Sequence, residues 1–408
     1  MSFLPPKSPV QCKHGESINH KLSTLIFSGQ TEQNQPKKLG ITNSGFVVYP
    51  NLTSVELLTV TGFSATIIHR ICLPLGKNVR NAMEEAKIGF IGCGGNAGGH
   101  MNTLENIEGA KIVATCDIDE NRANTAAQKH NATPYIDHRS MLERTDLDAI
   151  YLSLPVFAHG QPELDVIDRG LPFLVEKPVA INMDIAHQVA EAARKADLIT
   201  CVGYQLRYLG ATKFARQILT NNDVSMGIGK YWSGTGRGNP DAWIRQMNKS
   251  GGQLLEQATH TIDMMRYLLG EIEEVHAMQT NRVLAEIDCP DSNIVSLKFE
   301  NGAVGSLTAY WAFDNSDWSH TNVIDILYKD QLINWNPSRL KIKENGEYID
   351  KTEPSPSIDE VFVGAVRSGD KSQILSPYGD AVKTMAVSIA ANQSGSTGKP
   401  IKTNNLSS

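Results

Sequence analysis

From Lys87 to Tyr204 the chain alternates between short apolar runs and longer stretches in which apolar positions return every three or four residues. The runs "KIGFIG", "AKIVATCD", "LDAIYLSLP", "PFLVEKP" and "LITCVGY" read as strands. Between them the spacing predicts a helix from a glycine turn to about Glu105, then helices over "ENRANTAAQKH", "GQPELDVIDRG" and "MDIAHQVAEAARKAD". Strands alternating with helices predict a parallel sheet wound on both faces, an α/β arrangement. Past Tyr204 the pattern changes. "IVSLKFENGAVGSLTAYWA" reads as a hairpin turning at Asn301-Gly302, and Asn345-Gly346 marks a second turn among short strands. The second half is therefore expected to be an antiparallel sheet with a few helices, an α+β domain.

Residues 1–82 break this pattern. They hold eight Lys/Arg, three Glu and no Asp, a formal charge of +5 in a chain whose total is −6. They are rich in Ser, Thr, Asn, Gln and Pro and lack a sustained period, so they are expected to be a disordered or spurious extension. Met83 opens a clean domain start. The expected division is a dinucleotide-binding domain over 83–205 and a substrate-binding and oligomerisation domain over 206–408, closing with a helix at about 377–394.

Composition narrows the function. Of the 408 residues 41% are hydrophobic and 20% charged, and there is no Lys/Arg-rich run of the kind that binds nucleic acid. No stretch is apolar enough to span a bilayer, and the N-terminus does not read as a secretory signal. Six scattered cysteines without CxxC spacing read as free thiols, and the expected compartment is the cytoplasm.

Two local patterns carry candidate chemistry. "GFIGCGGNAGGH" places Gly92-x-Gly94-x-x-Ala97 directly after a strand and opens a helix, with Gly95 and Asn96 inside the turn. Gly92 allows the tight turn, Gly94 lets a pyrophosphate approach the backbone, and Ala97 allows close helix–strand packing. The next strand ends in Asp117, which would bind ribose hydroxyls and repel a 2′-phosphate; no arginine is expected beside it. NAD is therefore the expected cofactor, with NADP disfavoured. Pro155 and His159 follow the third strand and are expected near the nicotinamide. The fourth strand ends in "LVEKPVA". Pro178 cannot donate to the ladder and stiffens the residue before it, so Lys177 is held at the edge where parallel sheets bind ligands. Glu176 is expected to pair with Lys177 or with a backbone N–H.

In the second half, "SGGQLLEQATHTIDMMRYLLGE" predicts one helix with Glu256, His260 and Asp263 on a single face. That stripe is compatible with a solvated face, with a metal site, or with acid–base chemistry, the last being favoured. No third cluster completes a metal site. The segment Tyr231 to Ser250 brings Trp232, Arg237, Trp243 and Arg245, whose aromatic and guanidinium groups suit a sugar; Trp243 and Arg207 are the candidate substrate contacts.

The glycine turn, the acid ending the second strand, "EKP" and "GGxxxExxxHxxD" together resemble the Gfo/Idh/MocA oxidoreductases, as do "FENGAVGSL", "FVGAVRSGD" and the closing "GDAVKTMAVSIAANQSGSTGKPI". The resemblance runs from about residue 86 to 401. It implies a Rossmann domain followed by a large open antiparallel sheet whose exposed face builds homodimers or homotetramers. It also implies that Lys177 is the catalytic lysine, His260 the proton-transfer histidine and Asp263 a substrate-binding acid. Glu256 stands where the family often has Asp, which moves a carboxylate by one methylene. The expected activity is NAD-dependent oxidation of a sugar, inositol or related polyol. An NAD-dependent glycosidase working by transient oxidation and a non-catalytic cofactor sensor are the alternatives.

Overall fold

The computed structural model describes residues 83–408 except 145, 221–222, 315–317 and 408, together with the backbone of three short strands before residue 83. Those strands, β1 (Ile26–Gly29), β2 (Lys37–Leu39) and β3 (Val55–Leu58), pair antiparallel in the order β2-β1-β3 within a unit separate from the rest. The expectation of a disordered extension otherwise falls outside the described residues.

From Ala86 a six-stranded parallel sheet forms from β4 (Ala86–Ile91), β5 (Ala110–Cys116), β6 (Thr133–Tyr135), β7 (Ala149–Leu152), β8 (Phe173–Val175) and β9 (Thr200–Val202). Its order is β6-β5-β4-β7-β8-β9, so the chain reverses direction beside β4. The loops after β4 and β7 flank that switch point, where a ligand crevice opens. The helices between strands start on side-chain caps. Asp119 accepts from the Asn121 N–H at the head of Glu120–His130, and Asn182 accepts from the Ile185 N–H at the head of Met183–Lys195. The sheet is buried on both faces, which is why its strands read as nearly unbroken apolar runs.

A nine-stranded sheet follows, built from β10 (Val224–Trp232), β11 (Ile272–Thr280), β12 (Ser292–Phe299), β13 (Val304–Tyr310), β14 (Asn322–Tyr328), β15 (Gln331–Asn336), β16 (Arg339–Glu344), β17 (Glu347–Lys351) and β18 (Ile401–Lys402). As expected the sheet is antiparallel, with one exception: β10 lies parallel to β13. The cause is topological: a connection that carries helices leads from β10 to β11 at the far side of the sheet, and β12 and β13 then return antiparallel until β13 lies beside β10. One face packs on the helix Thr259–Leu269, with Ile262, Met265 and Leu269 against Leu297, Leu307 and Ile326.

The end of the chain returns to the first sheet. Phe362 and Val363 of the helix Ile358–Ser368 pack with Ile88, Phe90 and Tyr151 on one face. Tyr378, Val382 and Met385 of the helix Tyr378–Thr397 pack with Phe173, Val175 and Val189 on the other. Val387 and Ala390, further along the same helix, join the core of the second sheet, so one element braces both halves.

Candidate active site

A cleft of about 750 Å³ opens at the C-terminal edge of the parallel sheet and is closed by the second domain. Gly92, Gly94, Gly95, Asn96, Asp117, Pro155, Glu176, Lys177, Trp243, Glu256 and His260 all line it. Gly92 has φ of +91°, and a Cβ there would lie 2.1 Å from the Ser153 carbonyl oxygen, so only glycine makes this turn. At Gly94 and Gly95 a Cβ would meet open space. Gly94 caps the helix Gly95–Leu104 without a side-chain partner, which leaves backbone N–H groups free for an anion. Ala97 is buried beneath, against the strand. These residues fit a dinucleotide: an open cradle, a helix N-terminus and an acid at the end of β5.

Asp117 is more heavily engaged than expected. Its carboxylate accepts from the Cys93 N–H at 2.9 Å and the Asp119 N–H at 2.9 Å. The guanidinium of Arg122 lies 3.2 Å away. The expectation that no arginine accompanies Asp117 is therefore corrected. Five positions on in sequence, the start of a helix swings Arg122 back over the strand end.

The Lys177–Pro178 peptide is cis. Lys177 is almost buried, and its Nζ donates to the Glu256 carbonyl oxygen at 2.8 Å with the Glu256 carboxylate at 3.4 Å. Glu176 does not pair with that ammonium. It accepts from the Lys177 backbone N–H at 3.1 Å and bonds His100 Nε2 at 3.0 Å. His260 is buried beside them. Burial, and then the Lys177 ammonium, push its imidazole down to about 3, so it is neutral at physiological pH. The Nδ1 of His260 and the Oε2 of Glu256 are buried without hydrogen-bond partners, an arrangement that polar ligand groups would satisfy.

The single helical face expected for Glu256, His260 and Asp263 is broken. Gly252–Glu256 is one short helix, Gln257 and Ala258 turn, and Thr259–Leu269 is another. Asp263 does not line the cleft. It is held by Arg207 at 2.6 and 2.8 Å and by the Thr384 hydroxyl at 2.8 Å, in a buried network that continues through Asp380 to Arg266. Arg207 and Asp263, both expected to contact substrate, satisfy each other instead, because a buried charge needs a counter-charge. His159 likewise does not line the cleft, and its Nδ1 lies 2.5 Å from Glu163. Of the aromatic and guanidinium residues in 231–250, Trp243 alone among Trp232, Arg237, Trp243 and Arg245 reaches the cleft, where it meets Phe157 edge-on at 6.2 Å. Arg237 and Arg245 fasten loop carbonyls, and Trp232 lies on the second sheet. Tyr231, which opens that segment, also lines the cleft, and Gln205 and Gln257 line it without having been expected there. Gln205 follows a strand end, and Gln257 falls one position after Glu256 within what read as a continuous helix, off its candidate face.

The glycine cradle, the acid and the lysine at the switch point of a parallel sheet define an NAD-binding oxidoreductase. Residues 86–204 match the oxidoreductase family with an NAD-binding Rossmann fold, and residues 223–325 match the GFO/IDH/MocA C-terminal domain. The two matches together span more than half the chain, which belongs to the Gfo/Idh/MocA family. It is 26% identical over 335 residues to the uncharacterized oxidoreductase YrbE of Bacillus subtilis, covering 77% of this chain and 95% of that one. It is 27% identical over 224 residues to the myo-inositol 2-dehydrogenase of Thermotoga maritima, covering 54% and 66%. The solved structure of levoglucosan dehydrogenase with NADH and L-sorbose superposes with a TM-score of 0.70 at 18% identity, over 79% of this chain and 99% of that one, which shows the shared fold.

Proposed function

We propose that the chain is an NAD-dependent dehydrogenase acting on a hydroxyl of a sugar, inositol or related polyol. The observation that carries this reading is the convergence, in the cofactor cleft, of the Lys177 ammonium, the neutral His260 imidazole and a Glu256 carboxylate with an unpartnered oxygen. Bound NAD supplies the hydride acceptor. His260 is in the state that can accept the hydroxyl proton. Its low basicity leaves Lys177 the larger share of stabilising negative charge on the substrate oxygen. Glu256 and Trp243 suit a polyhydroxylated ring, one by accepting hydroxyl hydrogen bonds and the other by offering an apolar face. The myo-inositol 2-dehydrogenase relative supports the same substrate class. Asp117 favours NAD over NADP. The test is NADH formation with a panel of inositols, aldoses and sugar alcohols. Net NADH supports a dehydrogenase, whereas product release with no net NADH indicates the glycosidase chemistry instead.

The reading extends to assembly. Met278 and Ile294 are exposed on the second sheet, and with Trp232, Tyr310 and Phe313 they line an almost wholly apolar hollow of about 520 Å³. A patch of this kind on a broad sheet suits a second copy of the chain. Among the described residues no helix is long and apolar enough to cross a membrane. A cytoplasmic setting accords with the free thiols of Cys93, Cys116, Cys201 and Cys289.

A further inference from the structure

His100 lies on the cofactor-binding helix, on its buried side, with Ala97, Met101 and Leu104. It is almost completely buried and has a carboxylate at each ring nitrogen. Nδ1 is 2.7 Å from Asp359 and Nε2 is 3.0 Å from Glu176. Two ionised carboxylates accept from both nitrogens at once only if both carry protons. We propose that His100 is a positioning residue for Lys177: a doubly donating imidazolium that clamps Glu176 between the cofactor helix and the helix Ile358–Ser368. This rests on the reading of Lys177 as the charge-stabilising group.

Three further observations support the clamp. Burial opposes the charge on His100, but the bonds from Asp359 and Glu176 outweigh it and hold the imidazole up at about 10. Glu176, although fully buried, is held below the ordinary carboxylate range chiefly by His100, with the Lys177 ammonium adding to this. The Glu176 carboxylate also fills the space where Gly203 would carry a side chain, since a Cβ there would sit 2.8 Å from Oε2. Glu176 in turn accepts from the Lys177 backbone N–H. The clamp thus fixes the residue that precedes Lys177 and bonds its backbone. Asp359 belongs to a helix more than 180 residues away in sequence from Lys177, so the geometry at the strand end is set by three distant elements. A displacement of about 1 Å at a reacting group is enough to cost two decades in rate.

His100 also lines, with Glu176 and Asp359, a second hollow of about 660 Å³, room enough for a small cation. The test is His100→Ala in the full chain, assayed with NAD and the most active polyol of the panel. The expected result is a fall in kcat of about ten- to a hundred-fold with KM for the polyol changed little. Added imidazole should restore turnover as its cation, the rescue fading as the buffer rises past about pH 7. 1-Methylimidazole, with one N–H in its cation, should rescue poorly. His100→Gln keeps the volume but donates to one carboxylate only, and should show the same loss if the alanine variant does not fold. Turnover within three-fold of the parent in either variant, or a loss in folded protein that imidazole does not relieve, overturns the proposal. Retained turnover in Lys177→Met, or a parent that turns over none of the panel, overturns the dehydrogenase reading and this inference with it. If Lys177→Met is inactive while His100→Ala is active, the role of His100 alone is refuted.

Discussion

Replacing Lys177 with Met keeps the length of the side chain and its apolar stem but removes the ammonium. The structure sets what is lost. Nζ is held within 2.8 Å of the Glu256 carbonyl oxygen in a nearly water-free position, so its charge acts on a substrate oxygen with little screening. Removal of one preorganised donor to a developing oxyanion typically costs about 3–4 kcal/mol. At about 1.4 kcal/mol per decade, turnover should fall by roughly two to three decades. His260 cannot compensate, because its basicity is low. Loss of the ammonium removes one of the two influences that lower it, but burial is the larger and remains, so the imidazole stays below its ordinary value of 6.5. The histidine is then neutral at pH 7 in parent and variant alike. The ratio of parent to variant kcat should therefore be flat from pH 7 to 9. The assay is NADH absorbance with the panel substrate, with NAD affinity followed separately by titration; that affinity should change little, since the glycine cradle and Asp117 are elsewhere in the cleft. A variant turning over within a few-fold of the parent would show that Lys177 is structural. A deficit that closes as the pH is raised would place its effect on the ionisation of another group.

The arginine beside Asp117 makes cofactor choice a balance between the two side chains. Asp117→Ser should release Arg122 to a 2′-phosphate and reduce the preference for NAD over NADP by about ten-fold or more, as charge-assisted phosphate pairing allows; an unchanged ratio by titration would mean Arg122 does not reach the ribose. Ile294→Lys on the exposed sheet face should shift sedimentation toward the monomer while leaving NAD binding intact, and an unchanged assembly would locate the contact elsewhere. His100, raised to about 10 in the folded protein, contributes stability that is full below pH 6.5 and is lost as the pH climbs through 10. Urea melts of the parent should therefore lose up to about 1.4 kcal/mol per pH unit relative to His100→Gln over that window, and parallel pH profiles would contradict the assignment.

The parts of the site that were legible in sequence are those whose chemistry is local. The glycine turn needs residues within six positions of one another. Lys177 is fixed by its neighbour Pro178 and by the strand before it. Glu256 and His260 reach the cleft although the helix between them breaks, because the break at Gln257 and Ala258 changes their direction without removing them from the same wall. What escaped depended on partners distant in sequence. Asp263 has the spacing of a site residue, but Arg207 and Thr384 claim it. His159 looked like a ligand contact and is held by Glu163. The parallel pairing of β10 with β13 follows from the helical connection that joins β10 to β11, after which β12 and β13 return antiparallel, an arrangement that strand patterns do not report. Arg122 was hidden for the opposite reason. It is close in sequence to Asp117, but a turn intervenes and hydrophobic period says nothing of where an exposed guanidinium returns.

The two histidines nearest Glu176 are held in opposite states by the same physics. His100 is buried between two carboxylates, and their hydrogen bonds outweigh the cost of burying its charge. His260 is equally buried, but the fixed charge acting most strongly on it is an ammonium, so burial and electrostatics act in the same direction and it stays neutral. Glu176 lies between these outcomes. Its charge is balanced by His100 on one side, and what remains of its field reaches Lys177 and His260 on the other. Without His100 the carboxylate would have no buried counter-charge except Lys177, and it would compete with the substrate oxygen for that ammonium. Pairing Glu176 away from the cleft leaves the Lys177 ammonium facing Glu256 and whatever binds beside it. A proton acceptor and a fixed positive charge can then stand side by side without neutralising each other, as removal of a proton and a hydride from one alcohol requires.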